Sequence, residues 1–381
     1  LKIPMLFGYD VIHGYKTIFP IPLAEACSWD LDMIEESARL SAKEAAASGI
    51  NWAYNPMVDI ARDPRWGRIT EGSGEDPFLG AAFARARVRG FQGSDYSQPG
   101  KILACAKHWV AYGAAEGGRD YNTTEMSEQT LRSIYFPPFK AAVDAGVGTF
   151  MSAFNALNGV PTSANHFTLT TVLRDEWKFD GFVVSDYTAV KELINHGYAA
   201  NDKEAALLAL NAGVDMEMVS RLFNQHGPEL LQEKKWTQAT IDEAVRRILR
   251  IKFRLGLFEH PYVDESLENT ANLTVDNRAV AREVAAKSMV LLKNDRDTLP
   301  LAKTGFTSAA VIGPRADSVL RDWYGGLAPY KITGRQGIQT KLGSGVSVLY
   351  AADNNGGAAT SVSTSAGTAG RPPTPVRRSW S

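Results

Sequence analysis

The chain has 381 residues, 44% of them hydrophobic and 22% charged, with 41 basic against 42 acidic side chains and a net charge of −1. That balance gives no electrostatic footprint for nucleic acid, and no apolar run reaches the length of a membrane-spanning helix. The length suits one large domain plus part of a second.

Apolar strand-like runs alternate with amphipathic helical stretches from the first residues onward. A strand at 3–10 ends in Asp10 and leads to a helix at 31–48. A strand at 52–60 carries Asp59 at its end and is followed by a helix at 77–91. The run 102–108 ends in Lys107-His108, before a helix at 127–145. Next come strand 147–154, helix 167–177 and strand 182–186, which closes on Ser185-Asp186; helix 203–212 and strand 214–219 complete the series. Gly49, Gly93, Gly146, Gly181 and Gly213 fall at or near helix ends, where a left-handed cap favours glycine. Repeated βα units imply a parallel sheet with right-handed crossovers. A doubly wound sheet satisfies that pattern too. Charged strand ends spread over many units favour a (β/α)8 TIM-type barrel, in which strand C-termini form the active-site face. Six strands are visible of eight, so two further units are expected before Leu1. The chain starts inside a strand-like run, and the lack of a leader there says nothing about compartment.

Residues 229–258 read as a long basic helical region with a fresh start at Thr237. Ile241, Ala244, Val245, Ile248, Leu249 and Ile251 lie mostly on one face of it, as a packing helix requires. His260-Pro261 breaks that helix, and a linker follows. A helix at 278–292, a strand at 308–312, the turn Gly313-Pro314 and a strand at 346–350 open a second α/β domain. The expected map is therefore a barrel over 1–258, a linker over 259–280, the start of the second domain over 281–353 and a tail over 354–381. The tail turns to Gly, Ala, Ser and Thr without periodicity, so disorder is expected. Its abrupt onset also fits an out-of-frame or truncated end.

Asp186 is the candidate nucleophile, because sugar transfer needs an ionised carboxylate on a rigid support beneath the anomeric carbon. The competing reading is a helix N-cap. Lys107 offers a compact cation to hydroxyls and His108 a directional donor, with Asp120 and Glu116 just downstream as groups able to fix both. Arg68 and Glu71 are spaced for an ion pair that would aim a guanidinium fork at a vicinal diol. The nearby Gly72-Ser-Gly74 is no phosphate loop, since no Gly-Lys-Ser/Thr follows it. Asp10 is a bidentate acceptor suited to adjacent hydroxyls, and Trp66, Trp109 and Tyr187 suit stacking on a pyranose. The six histidines form no short-spaced metal motif, so neither metal nor cofactor is expected. Cys27 and Cys105 sit in apolar surroundings and read as buried free thiols rather than a disulfide.

Together these segments resemble glycoside hydrolase family 3, and within it the bacterial periplasmic β-glucosidases. The resemblance runs from about Leu1 to Tyr350. It rests on Tyr9-Asp-Val-Ile-His-Gly14, Asp63-Pro-Arg-Trp-Gly-Arg68, Lys107-His108, Met151-Ser-Ala-Phe-Asn-Ala-Leu-Asn-Gly159, Val184-Ser-Asp-Tyr187, Ser288-Met-Val-Leu-Leu-Lys-Asn294 and Val311-Ile-Gly-Pro314. It implies an N-terminally incomplete barrel followed by the start of an α/β sandwich, and a retaining β-glucosidase acting on terminal non-reducing residues. Asp186 would be the nucleophile, and Asp10, Arg68, Lys107 and His108 would hold the sugar hydroxyls. Tyr187 would border the leaving-group subsite, with Glu71 and Asp120 in support. Lys107-His108-Trp-Val-Ala-Tyr-Gly113 departs from the Lys-His-Phe-Pro-Gly segment of the family's hexosaminidase branch. The glucosidase-like branch takes its acid/base Glu from the second domain, so that group is expected beyond Asn354. Glu192 is the fallback, and its plainer reading is a solvated helix face. Rival expectations are β-xylosidase or α-L-arabinofuranosidase specificity, and a sugar-binding but catalytically incomplete fragment. The expected partner is a small carbohydrate, with neither nucleic acid nor a membrane span; homo-oligomerisation stays open. Location in the periplasm or outside the cell is implied by the resemblance alone.

Overall fold

A computed structural model of the chain describes residues 2–302, 304–320, 324 and 330–352; the tail expected at 354–381 lies outside them. Two compact units divide it, the first comprising Leu1–Leu292 with Asp322–Ala328 and the second Lys293–Arg321 with Pro329–Ser381.

In the first unit β1 (Gly8–Tyr9) pairs in parallel with β2 (Trp52–Ala53). β3 (Cys105–Trp109), β4 (Thr149–Ser152), the hairpin strands β5 (Ala156–Leu157) and β6 (Val160–Pro161), β7 (Phe182–Tyr187) and β8 (Met216–Met218) follow. The order β3-β4-β7-β8 is parallel throughout. Bridges Trp52 to Leu103 and Met57 to Lys107 join β2 to β3. Six consecutive parallel strands with helices between them are the α/β framework of a TIM-type barrel. The ladders are shorter than the apolar runs that announce them: Ile3, Met5 and Phe7 are substantially exposed and lie before β1. Hydrophobicity marks where chain can be buried, whereas ladder length depends on the partner strand.

β7 is buried from Phe182 through Asp186. Gly181 lets its start approach β4, since a Cβ there would fall 2.0 Å from the Gly148 carbonyl oxygen. Inside the barrel Trp52 donates through Nε1 to Thr149 Oγ1 at 2.9 Å. Trp52 also clusters with Leu103, Phe182 and Val184.

Asp30 caps helix Leu31–Ala47, accepting from Met33 N at 3.1 Å. Asp76 caps helix Pro77–Gln92 in the same way at 2.7 Å. The helical region expected at 229–258 is two helices, Leu222–Gln232 and Gln238–Arg254; the first begins seven residues earlier than expected, and the second starts afresh at Thr237 as the sequence indicates. Thr237 caps the second by accepting from Thr240 N. Its Ile251 joins the interior cluster, while Val245 is exposed rather than on the packing face.

Residues assigned to a linker by sequence contain a 3-10 turn, Glu265–Leu267, and helix Glu268–Ala271, and helix Val275–Lys287 follows. Buried Glu44 ties this segment to the unit. Its carboxylate accepts from Lys16 N at 2.9 Å, Thr17 N at 2.7 Å, Thr17 Oγ1 at 2.6 Å, Leu273 N at 2.9 Å and Asn277 Nδ2 at 2.8 Å. Both cysteines are free; Cys105 is buried, but Cys27 is exposed at the end of a five-residue helix. In the second unit β9 (Ser308–Ile312) pairs in parallel with β10 (Ser347–Ala351), and helix Gly334–Leu342 precedes β10.

Candidate active site

Charged side chains converge at the C-terminal ends of the barrel strands. Asp10 follows β1, Lys107 and His108 belong to β3, and Asp186 belongs to β7. Arg68 and Glu71 stand on a 3-10 turn, Gly67–Glu71. Lys107 Nζ donates to Asp10 Oδ1 at 2.8 Å. Arg68 grips Glu71 with two bonds, Nε to Oε1 at 2.7 Å and Nη2 to Oε2 at 3.1 Å. The same Nη2 stands 2.9 Å from His108 Nε2, which lies 3.4 Å from Asp186 Oδ2. Asp10, Arg68, Glu71, Lys107, His108 and Asp186 thus form one connected cluster.

Asp186 is 8% exposed, and its two oxygens differ. Oδ1 accepts from Tyr187 N at 2.6 Å, whereas buried Oδ2 has no hydrogen-bond partner among the described residues. The bond to its own neighbour is not a helix N-cap. Burial pushes the Asp186 carboxyl up to about 6, against the pull of Arg68 and Lys107. Burial works against the Lys107 charge, yet Asp10 holds its pKa above the ordinary lysine value. Arg68 likewise stays well above its ordinary value through Glu71, in spite of burial. A buried carboxylate with one open oxygen, faced by two fixed cations, can attack or stabilise a developing positive centre.

Three expected members, Asp120, Glu116 and Glu192, are not hydrogen-bonded into this cluster. Asp120 does not fix Lys107 or His108; its Oδ1 accepts from Trp66 Nε1 at 2.9 Å. The loop after β3 turns it toward the turn that carries Arg68, and Glu116 on that loop is exposed. Glu192 accepts from Thr188 Oγ1 at 3.0 Å, four residues earlier, and shares no hydrogen bond with Asp186. Burial raises its pKa. Tyr187 is 58% exposed beside Asp186. Trp109 is fully buried among Phe136, Phe139 and Trp177, a core position rather than a stacking platform.

Two further residues join the cluster. Asp59 Oδ2 faces His108 Nδ1 at 2.8 Å, and its signal was the charged end of an apolar run. Tyr324 accepts from Arg68 Nη2 at 3.3 Å, and Lys107 Nζ lies 4.8 Å from its ring centre. Nothing in its local sequence marks it.

The model of the glycosyl hydrolase family 3 N-terminal domain matches residues 1–251. The chain belongs to glycosyl hydrolase family 3. A periplasmic β-glucosidase of Salmonella typhimurium is 45% identical over 93% of this family 3 chain and 47% of its own length. A β-xylosidase of Formosa agariphila is 38% identical over 89% and 50%. Among solved structures, a β-glucosidase from Listeria innocua in complex with glucose aligns with a TM-score of 0.88 at 43% identity, over 92% of this chain and 49% of that one. The chain therefore spans about half the length of the relatives it matches.

Proposed function

We propose that this family 3 barrel serves a retaining β-glucosidase that removes terminal non-reducing β-D-glucosyl residues, with Asp186 as nucleophile. The observation that carries the reading is the buried Oδ2 of Asp186, without a hydrogen-bond partner among the described residues and set among Arg68, Lys107 and His108. Oδ2 attacks the anomeric carbon and the glycosidic C–O bond breaks as the departing oxygen takes a proton from a second carboxyl. Water then attacks the glycosyl-enzyme, gives its proton to that second group and frees the carboxylate. Asp10, Arg68 and Lys107 hold hydroxyls of the sugar, and their contacts strengthen as the ring flattens toward an oxocarbenium-like transition state. Tyr187 borders the leaving group. Glu192 is the weaker candidate for the second carboxyl, since its hydrogen bond goes to Thr188.

Turnover of an activated aryl β-glucoside by Asp186→Ala tests the assignment. Loss of hydrolysis, with azide restoring turnover to give the α-glucosyl azide, is the expected result. Undiminished hydrolysis overturns it. A pentoside reading is supported by the 38% identical β-xylosidase, and the ratio of aryl glucoside to aryl xyloside turnover decides between them. Periplasmic location is part of the proposal and rests on the name of the Salmonella relative; cell fractionation checks it.

A further inference from the structure

The His108 imidazole is engaged at both nitrogens, and the partners differ in kind. On one side lies Asp59 Oδ2, 2.8 Å from Nδ1, which also receives the His108 backbone N–H at 2.9 Å. On the other lies Arg68 Nη2, 2.9 Å from Nε2. A guanidinium can only donate, so Nε2 must accept and the single proton of a neutral imidazole sits on Nδ1. Both Asp59 and His108 are buried, and the Tyr112 ring packs edge-on against the imidazole at 5.2 Å.

We infer that Asp59 is a positioning residue that fixes His108 as the Nδ1-protonated tautomer, making Nε2 an acceptor for Arg68 and withholding a proton from Asp186. The consequence lies in the 3.4 Å gap between Nε2 and Asp186 Oδ2. The other tautomer would aim an N–H at that oxygen, satisfy it and blunt it as a nucleophile. It would also set two donors against each other at Arg68. With the proton on Nδ1, Arg68 is held at Glu71 and at His108, and Oδ2 stays open.

The arrangement also survives titration of Asp59. Burial pushes its pKa up to about 7, with His108, Arg68, Glu71 and Lys107 as the neighbours that modify it. Its other oxygen, Oδ1, is buried without a partner among the described residues. A proton taken up by Asp59 settles on Oδ1 and leaves Oδ2 accepting. Burial, with Arg68 and Lys107 alongside, holds the His108 pKa well below the ordinary histidine value. The imidazole therefore stays neutral.

Only the kinetic part of this inference rests on the proposed glucosidase function, so the tautomer is tested without substrate. In the full chain labelled with 15N at histidine, the His108 signals are assigned by their loss in His108→Gln. A protonated Nδ1 and an unprotonated Nε2, unchanged between pH 6 and pH 8, are expected. A protonated Nε2, alone or with Nδ1, overturns the inference whatever the activity assays give. Asp59→Asn keeps an acceptor at the Oδ2 position and is expected to retain the tautomer and aryl glucoside turnover within about threefold. Asp59→Leu removes the acceptor, and kcat is expected to fall about 10- to 100-fold, as for lost supporting partners elsewhere. Equal losses in the two Asp59 variants, with the tautomer intact in both, also overturn the positioning role. If Asp186→Ala keeps full turnover while the wild-type tautomer is as stated, the functional proposal fails and this one stands.

Discussion

Two buried aspartates flank β7, one at each end, and they are treated oppositely. Asp215, beside the start of the strand, accepts from Val183 N at 2.8 Å, Arg174 Nη2 at 2.7 Å and Arg247 Nη1 at 2.8 Å. Asp186, near its far end, has one oxygen bonded and one left open. Burial raises both pKa values, but only the first residue has its desolvation offset by direct ion pairs. One face of the barrel uses a carboxylate to hold strands and helices together; at the other, Asp186 Oδ2 has no hydrogen-bond partner among the described residues. The ion-paired carboxylate thus lies beside the start of β7 and the half-open one near its end.

The contrast is broken most severely by exchanging the consequences. Asp186→Ala should lower kcat on an aryl β-glucoside by roughly 10⁴-fold or more with the fold intact by circular dichroism. Asp215→Ala should do the reverse: it strands Arg174 and Arg247, costs about 3–5 kcal/mol in denaturant unfolding, and leaves kcat of the folded fraction near wild type. Asp186→Asn separates the two roles by pH. The folded pKa, about 6, lies above the ordinary 3.8, so the native chain holds a proton that the unfolded chain releases between those values. Stability therefore falls as pH rises through that window, and Asp186→Asn should raise Tm at pH 8 by about 4 °C and hardly at pH 4. In the wild type, kcat/KM should decline as pH drops through about 6, because the proposed nucleophile must be ionised in the free enzyme. The smallest effect is expected at the rim, where Tyr187→Ala should raise KM for aryl glucosides about tenfold and leave kcat nearly unchanged.

Much of the cluster was legible because its members end apolar runs or are spaced along one turn. Phe182-Val-Val-Ser-Asp186 is a strand closing on a carboxylate, and Arg68 with Glu71 is an i,i+3 pair. Nearness in sequence to Lys107 does not give Asp120 a bond to Lys107 or His108; the loop after β3 carries it to Trp66, whose ring packs on Tyr112 beside His108. Asp59 was visible as a strand end, but its pairing with His108 depends on the junction between β2 and β3, which no local pattern encodes. Tyr324 reaches Arg68 across 256 residues and left no trace in the chain around it. The hairpin Ala156–Pro161 did carry a signal, since Asn158-Gly159, both with positive φ, is a favoured tight turn. It is missing from the expected elements because the pair sits inside a longer apolar motif.

The buried Glu44 carboxylate has a consequence for how the molecule is made. Its partners at positions 16 and 17 are synthesised just before it, whereas those at 273 and 277 leave the ribosome more than 220 residues later. A nascent barrel thus carries a partly sated carboxylate in its helical layer until the segment after it emerges. Interrupting translation before residue 277 should leave a barrel that protease cuts near residue 44, and completing that stretch should seal it.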